Sequence, residues 1–231
     1  MKKINTLGII TARKGSKRIK NKSLKLFYGK PVIYYSIKNL QKSKIFDEII
    51  VSTNCDLIEK VSRDLGVKKI IRRPNYLSSN KVGTISVINH SINTLSKFKT
   101  YPKYICCIYP AAPLTRFENI KSAYKWIKNS KTGSGFIYPS TIISNKKNDL
   151  KYNKLFPLLK IKKKEGIAND VFLDAGQFWF AKTSTWKKAK TIYQKNSYSF
   201  LIEEKISDIN SINDWKKVEI IFGKNRKKYI S

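Results

Sequence analysis

The chain has 231 residues, and 48 Lys+Arg against 15 Asp+Glu leave a formal net charge of +33. The length suits one α/β domain with a real core, and 41% hydrophobic with 12% aromatic residues excludes disorder despite the charge. No apolar run approaches the roughly 20 residues of a membrane-spanning helix, and Leu7 to Ile10 is too short for a signal-peptide core, so the expectation is a soluble cytoplasmic protein with no membrane partner.

Ile4 to Ile10 reads as a first strand, followed by a basic loop. Pro31 then opens a helix with Val32, Ile33, Tyr35, Ser36, Ile37 and Leu40 at helical spacing. Glu48 to Thr53 is the next strand, ending in polar residues, and a helix from Asp56 to Leu65 closes at Gly66 in the C′ position. Val67 to Ile71 is a third strand, ended by Arg72-Arg73-Pro74. A helix over Ile85 to Leu95 leads to the strand Tyr104 to Tyr109, then Pro110 to Pro113, then a helix over Glu118 to Lys128. Apolar strands alternating with helices predict an α/β fold with a mostly parallel sheet covered on both faces. In such sheets ligands sit beyond the carboxyl ends of the strands.

Past Gly133 the alternation loosens. Gly135 to Pro139 is read as a fifth strand and Ser140 to Asn169 as a polar, lysine-rich excursion, either solvated or an oligomerisation arm. Order returns at Gly176 to Phe180; a short strand near Glu204 to Ile206 feeds Ser207-Asp208-Ile209-Asn210, and a last helix covers Asn213 to Phe222. No repeat or linker divides the chain, so residues 1–231 read as a single domain. The three cysteines, two of them adjacent (Cys106, Cys107), predict no disulfide framework. The single histidine, His90, with no Cys-x-x-Cys, puts a structural zinc site out of reach and argues against a Ser-His-Asp or Cys-His mechanism.

The loop Thr11 to Ser23 carries a glycine, small hydroxyl residues and many cations directly after the first strand, a composition that can wrap a polyphosphate. It is not a Walker A loop, and Gly133-Ser134-Gly135 lacks the third glycine of a dinucleotide fingerprint, position 138 being Tyr. In so basic a chain a solvated lysine loop accounts for the same residues, and A+T-rich codon usage accounts for part of the charge. The cation cluster Lys160 to Lys164 and Trp126 point toward nucleic acid, but the charge is dispersed and no RNA- or DNA-binding motif occurs.

The run Ile9-Ile10-Thr11-Ala12-Arg13-x-Gly15-Ser16-Lys17-Arg18-Ile19-x-x-Lys22 resembles the CTP-binding loop of the acylneuraminate cytidylyltransferase family. The resemblance continues through Gly29-Lys30-Pro31, Phe46-Asp47-x-Ile49-Ile50-Val51-Ser52-Thr53, Arg73-Pro74, Gly83-Thr84 and Pro110-x-x-Pro113-Leu114. Cys106-Cys107-Ile108-Tyr109 with Ala112-Pro113, and Asp174-Ala175-Gly176-Gln177-Phe178-Trp179, look like the pseudaminic acid branch of that family. The Gln-Gly-Asp-Glu-Pro stretch typical of the 3-deoxy-manno-octulosonate enzymes is absent.

The resemblance implies a Rossmann-like three-layer nucleotide-diphospho-sugar transferase fold, a homodimer paired through the excursion, and condensation of CTP with a nine-carbon 2-keto acid sugar (a nonulosonic acid) to a CMP-sugar and pyrophosphate. It further implies that Ala12, Arg13, Ser16, Lys22, Ser23, Arg73 and Thr84 bind the nucleotide and that Arg13, Lys17 and Lys22 carry catalysis. Asp174 and Gln177 would line the sugar side, and Asp208 and Asn210 would hold Mg2+. Each has a plainer reading: Arg73 as a strand-end cation, Gln177 as an ordinary strand residue, Asp208 as a helix cap. Departures from the family pattern are Thr11 for Pro, Ser23 for Asn, Leu173 for His, Ser79-Asn80-Lys81 for an acidic stretch, and Asn210 for a second carboxylate. The last raises the alternative of a catalytically weakened member with a regulatory role.

Overall fold

The structure, a computed structural model, describes residues 4–129, 135–143, 171–194, 196–204 and 208–230. In chain order the strands are β1 (Thr6–Thr11), β2 (Leu26–Phe27), β3 (Lys30–Pro31), β4 (Glu48–Thr53), β5 (Lys69–Arg72), β6 (Tyr104–Ile108), β7 (Ile137–Ile143), β8 (Val171–Asp174), β9 (Phe178–Lys182) and β10 (Tyr198–Leu201). The helices are α1 (Ile33–Ser43), α2 (Asp56–Asp64), α3 (Thr84–Ser96), α4 (Phe117–Asn129), α5 (Thr183–Lys188), α6 (Ile212–Lys224) and α7 (Arg226–Ile230).

The main sheet runs β10-β7-β9-β6-β1-β4-β5, with β8 paired to β7. Strands β6, β1, β4 and β5 are mutually parallel, the arrangement the strand–helix alternation predicts. Strands β1 and β6 lie at its centre with Leu7, Ile9, Ile10, Ile105, Cys106, Cys107 and Ile108 fully buried, which is why they are apolar on both faces. From β1 the chain builds outward to β4 and β5 and then returns to the other side of β1 as β6, so the strand order reverses between β1 and β6. That reversal marks the crevice where a ligand can enter.

The second half of the sheet is mixed. Strand β9 is antiparallel to β6 and to β7, and β8 is antiparallel to β7. Strand β7 runs through Ser140 to Ile143, so these residues belong to the sheet and not to the excursion; the rest of that stretch lies outside the described residues. Of the strand expected over 204–206, Glu204 lies outside any strand and 205–206 fall outside the described residues; Tyr198–Leu201 forms β10, which pairs in parallel with β7. Gly66 does follow α2 in the left-handed region, at φ +88, as a C′ glycine should.

A second apolar cluster sits beside the main core. Phe27 meets the rings of Tyr28, Tyr35, Trp215 and Phe222 edge-on at 5.0–5.6 Å, and Ile19, Ala111 and Ile209 pack into the same cluster. It fastens the chain after the β1 loop to α6 and α7. Ser211 caps α6 by accepting from the Asp214 backbone N–H at 3.1 Å, and Asp214 Oδ2 returns the contact to the Ser211 N–H at 2.7 Å. This reciprocal cap satisfies two otherwise unpaired donors.

Candidate active site

A cleft of about 500 Å³ opens where the strand order reverses, at the carboxyl ends of β1, β5 and β6. Arg13, Lys17, Arg18, Lys22 and Arg73 line it, and Asp208 is the only carboxylate on its wall among the described residues. Ser16, Ser23, Thr84 and Asn210 complete the set of expected residues that it gathers. Ala12 is not on the wall: its side chain is buried and its N–H donates to Ser52 O at 3.1 Å. Asp174 and Gln177 lie behind the Asp208 turn and off the cleft wall.

Arg13 is pinned by its loop. Its guanidinium donates to Gly15 O at 3.2 Å, to Ser78 O at 3.3 Å and to the Asn80 side-chain oxygen. The last contact joins the loop to the Ser79-Asn80-Lys81 stretch, where a neutral amide leaves the Arg13 charge uncancelled. Arg73 is only 5% exposed, and its guanidinium donates to Ser52 Oγ at 3.2 Å and Ser52 O at 2.7 Å. Burial pushes its pKa down to about 10, so it stays charged at neutral pH. It has no carboxylate partner among the described ion pairs. A buried, uncompensated cation is costly unless an anion meets it. Thr84 begins α3, so the positive end of a 13-residue helix faces the same cleft.

Lys22 reaches across to the last part of the chain. Its Nζ donates to Ile209 O at 2.7 Å and lies 3.9 Å from Asp208 Oδ1. Burial lowers its pKa, against the opposing pull of Asp208. The Asp208 carboxyl is raised, chiefly by burial, while Lys22 and Arg18 restrain the shift. Asn210 N donates to Asp214 Oδ2 at 2.9 Å, so the α6 cap fixes the backbone here, and Asn210 Oδ1 is buried with no hydrogen-bond partner. An orphaned amide oxygen two residues from a carboxylate fits a hard cation that takes oxygen ligands. Among the described residues no cluster of three His, Cys, Asp or Glu occurs, so this chain would supply two oxygens, with phosphate and water supplying the others.

Asp174 ends β8. Its Oδ1 accepts from the Gly176 N–H at 2.9 Å and its Oδ2 from the Tyr193 hydroxyl at 3.4 Å. Burial raises its pKa to about 7, with the nearby Asp208 charge pushing the same way. Gly176 has φ +63, and a Cβ there would lie 2.6 Å from Asp208 Cα. Only glycine permits this contact, which joins the Asp174–Gln177 segment directly to the Asp208 turn. Gln177 is 4% exposed and its Oε1 has no partner. The sequence reading assigned no role to Ser52, Arg18 or Asp214. Ser52 had a signal in the polar end of its strand, Arg18 in the loop motif, and Asp214 in its spacing from Ser211.

Comparison with known proteins agrees with this geometry. A cytidylyltransferase family model matches residues 7–203. The chain is 30% identical over 230 residues to pseudaminic acid cytidylyltransferase of Campylobacter jejuni, covering 96% of this chain and 98% of the relative. It is 28% identical over 235 residues to CMP-N,N'-diacetyllegionaminic acid synthase of Legionella pneumophila, covering 95% and 97%. Among solved structures, CMP:2-keto-3-deoxy-manno-octonic acid synthetase complexed with CTP superposes with TM-score 0.70 at 13% identity, over 95% of this chain and 99% of that one. The fold is therefore the Rossmann-like α/β fold of nucleotidyltransferases, and the protein is an enzyme of that class. Within that class, the chain belongs to the cytidylyltransferase family.

Proposed function

We propose that the protein transfers CMP from CTP to a nine-carbon 2-keto acid sugar of the pseudaminic or a related type, releasing pyrophosphate. The observation that carries this reading is the cleft at the strand reversal, with five cations and one carboxylate on its wall. The full-length similarity to the C. jejuni pseudaminic acid cytidylyltransferase supports the sugar class. In the reaction the anomeric hydroxyl gives its proton to solvent as its oxygen bonds to the α-phosphorus, the bond from that phosphorus to the α,β-bridging oxygen breaks, and pyrophosphate leaves with the electron pair. Such a displacement requires positioning and charge neutralisation, not a protein nucleophile. Arg13, Lys17 and Lys22 would neutralise the outer phosphates, and Arg73 would meet the nucleotide from the buried side. Asp208 and Asn210 would hold Mg2+, which when bound neutralises triphosphate charge and polarises phosphoryl oxygen.

A homodimer, paired through the stretch after β7, and a cytoplasmic location belong to the same reading. Their support is the family resemblance; no described helix is long and apolar enough to cross a membrane. The test is incubation with CTP, Mg2+ and a panel of nonulosonic acids while pyrophosphate is followed. Release with at least one sugar is expected. CTP binding without release for any sugar would point instead to the catalytically weakened alternative.

A further inference from the structure

The Asp208 carboxylate has a cation of the chain's own beside it. Lys22 Nζ lies 3.9 Å from Asp208 Oδ1 and donates to the adjoining carbonyl, Ile209 O, at 2.7 Å. Among the described residues Asp208 makes no other ion pair. The backbones on both sides of this contact are fixed. Ile19 and Ile209 are buried in one apolar cluster, Lys22 N donates to Ile19 O at 3.2 Å, and Asp214 Oδ2 holds the Asn210 N–H at 2.9 Å. What can move is the Lys22 side chain, a point charge on a flexible four-carbon stem. Its hold on Asp208 is loose: 3.9 Å is the outer reach of an ion pair, and the two side chains are 21% and 41% exposed. A polyanion in the cleft can therefore draw the ammonium away.

We propose that Lys22 is the resident counter-ion of Asp208 and is exchanged for a divalent metal when triphosphate enters, so that the two ligands bind as a linked pair. The inference rests on the proposed function and concerns the order in which its charges are matched. A divalent ion approaching Asp208 while Lys22 stands beside it meets one carboxylate against Lys22, Arg18, Lys17 and Arg13 on the same wall, so repulsion opposes it. Once the outer phosphates hold the ammonium, Asp208 is left without a partner. The Asn210 side-chain oxygen has none to begin with, and both oxygens then suit a hard cation. By linkage each ligand raises the affinity for the other by the same factor. This predicts a sign that a purely phosphate-binding lysine does not. Removing such a lysine weakens triphosphate binding and does nothing for the metal, whereas removing a counter-ion strengthens the binding of metal to the protein by itself.

The test reads binding rather than turnover. Mn2+, followed by electron paramagnetic resonance with no nucleotide present, should bind the wild-type protein only in the millimolar range or above. Lys22→Gln should bind Mn2+ at least about tenfold more tightly, while its affinity for CTP in EDTA, by calorimetry, falls at least about tenfold. Lys17→Gln removes the same charge from the same wall, but Lys17 makes no ion pair with Asp208 among the described residues. Its effect on Mn2+ affinity should stay within about twofold at physiological salt. Adding Asp208→Asn to Lys22→Gln should abolish the gain. The exchange is overturned by submicromolar to micromolar Mn2+ binding to the wild type without nucleotide, by an unchanged Mn2+ affinity in Lys22→Gln, by an equal gain in Lys17→Gln, or by a gain that survives Asp208→Asn. Each of these leaves the proposed function intact so long as the wild type binds CTP; failure to bind CTP overturns both. If Lys22→Gln does not fold, Lys22→Met, which keeps the apolar stem, replaces it, and the wild-type Mn2+ measurement stands by itself.

Discussion

Asn210 is the residue at which this chain departs most consequentially from its family's acidic pair. A carboxylate in its place would bring charge as well as an oxygen; the amide brings only the oxygen, while Lys22 and Arg18 on the same wall repel a cation. Turnover should therefore require Mg2+ in the millimolar range, and Asn210→Asp should lower the half-saturating concentration roughly tenfold, about 1.4 kcal/mol. A Mg2+ titration of both proteins checks this, and an unchanged requirement would mean that phosphate and water hold the metal. Asp174 gives a second test at this scale. Its carboxyl is raised to about 7 from 3.8, so between those values the native state binds more protons than the unfolded one and stability falls as pH rises. The melting temperature of Asp174→Asn relative to wild type should consequently increase from pH 4 to pH 8. A difference that stays flat would remove the buried charge as its cause. Single residues were the most legible level of the sequence wherever a motif held them: Arg13, Ser16, Lys17, Lys22, Arg73, Thr84 and Asp208 meet in one cleft. What no motif could show was that Lys22 bonds the carbonyl of Ile209, a contact between positions 187 residues apart.

Among the elements, those in the parallel half were readable because strands buried on both faces are apolar throughout and helices at amphipathic spacing separate them, α2 with a stop signal at Gly66. The antiparallel half was not. An apolar run such as Phe178-Trp179-Phe180 announces a buried strand but not its direction, which depends on where the preceding chain has travelled. Strand β10 has no counterpart among the sequence expectations, and Glu204, where the sequence suggests a strand to begin, is instead a buried acceptor, 2.7 Å from the Tyr229 hydroxyl and 2.9 Å from Lys228 Nζ. Its partners come from α7, a basic segment whose sequence has no helical apolar period. Helix α6, by contrast, carries its start signal locally. Ser211→Ala should cost about 0.5–2 kcal/mol in urea unfolding, and because the cap also fixes the Asn210 backbone, the Mg2+ requirement should rise with it. Loss of stability with an unaltered metal requirement would confine the cap to folding.

For the molecule as a whole, length and composition suited one folded α/β domain, but they could not say which of so many cations matter. The fold makes that selection by gathering five of them around one cleft. If the excursion after β7 pairs two subunits, deleting residues 149–164 should yield monomers by light scattering, and a particle of unchanged size would end that assignment.

The buried guanidinium of Arg73 carries one further consequence. A protein that folds around an unbalanced positive charge holds back part of its own stability until something negative arrives. Its thermal resistance should therefore report on nucleotide supply. At a hundredfold excess of CTP over its dissociation constant the gain is about 2.7 kcal/mol, a rise in melting temperature that pyrophosphate should partly reproduce and cytidine should not. In a cell short of CTP, the same enzyme would be the more easily unfolded form of itself, and its abundance would follow the pool it draws upon.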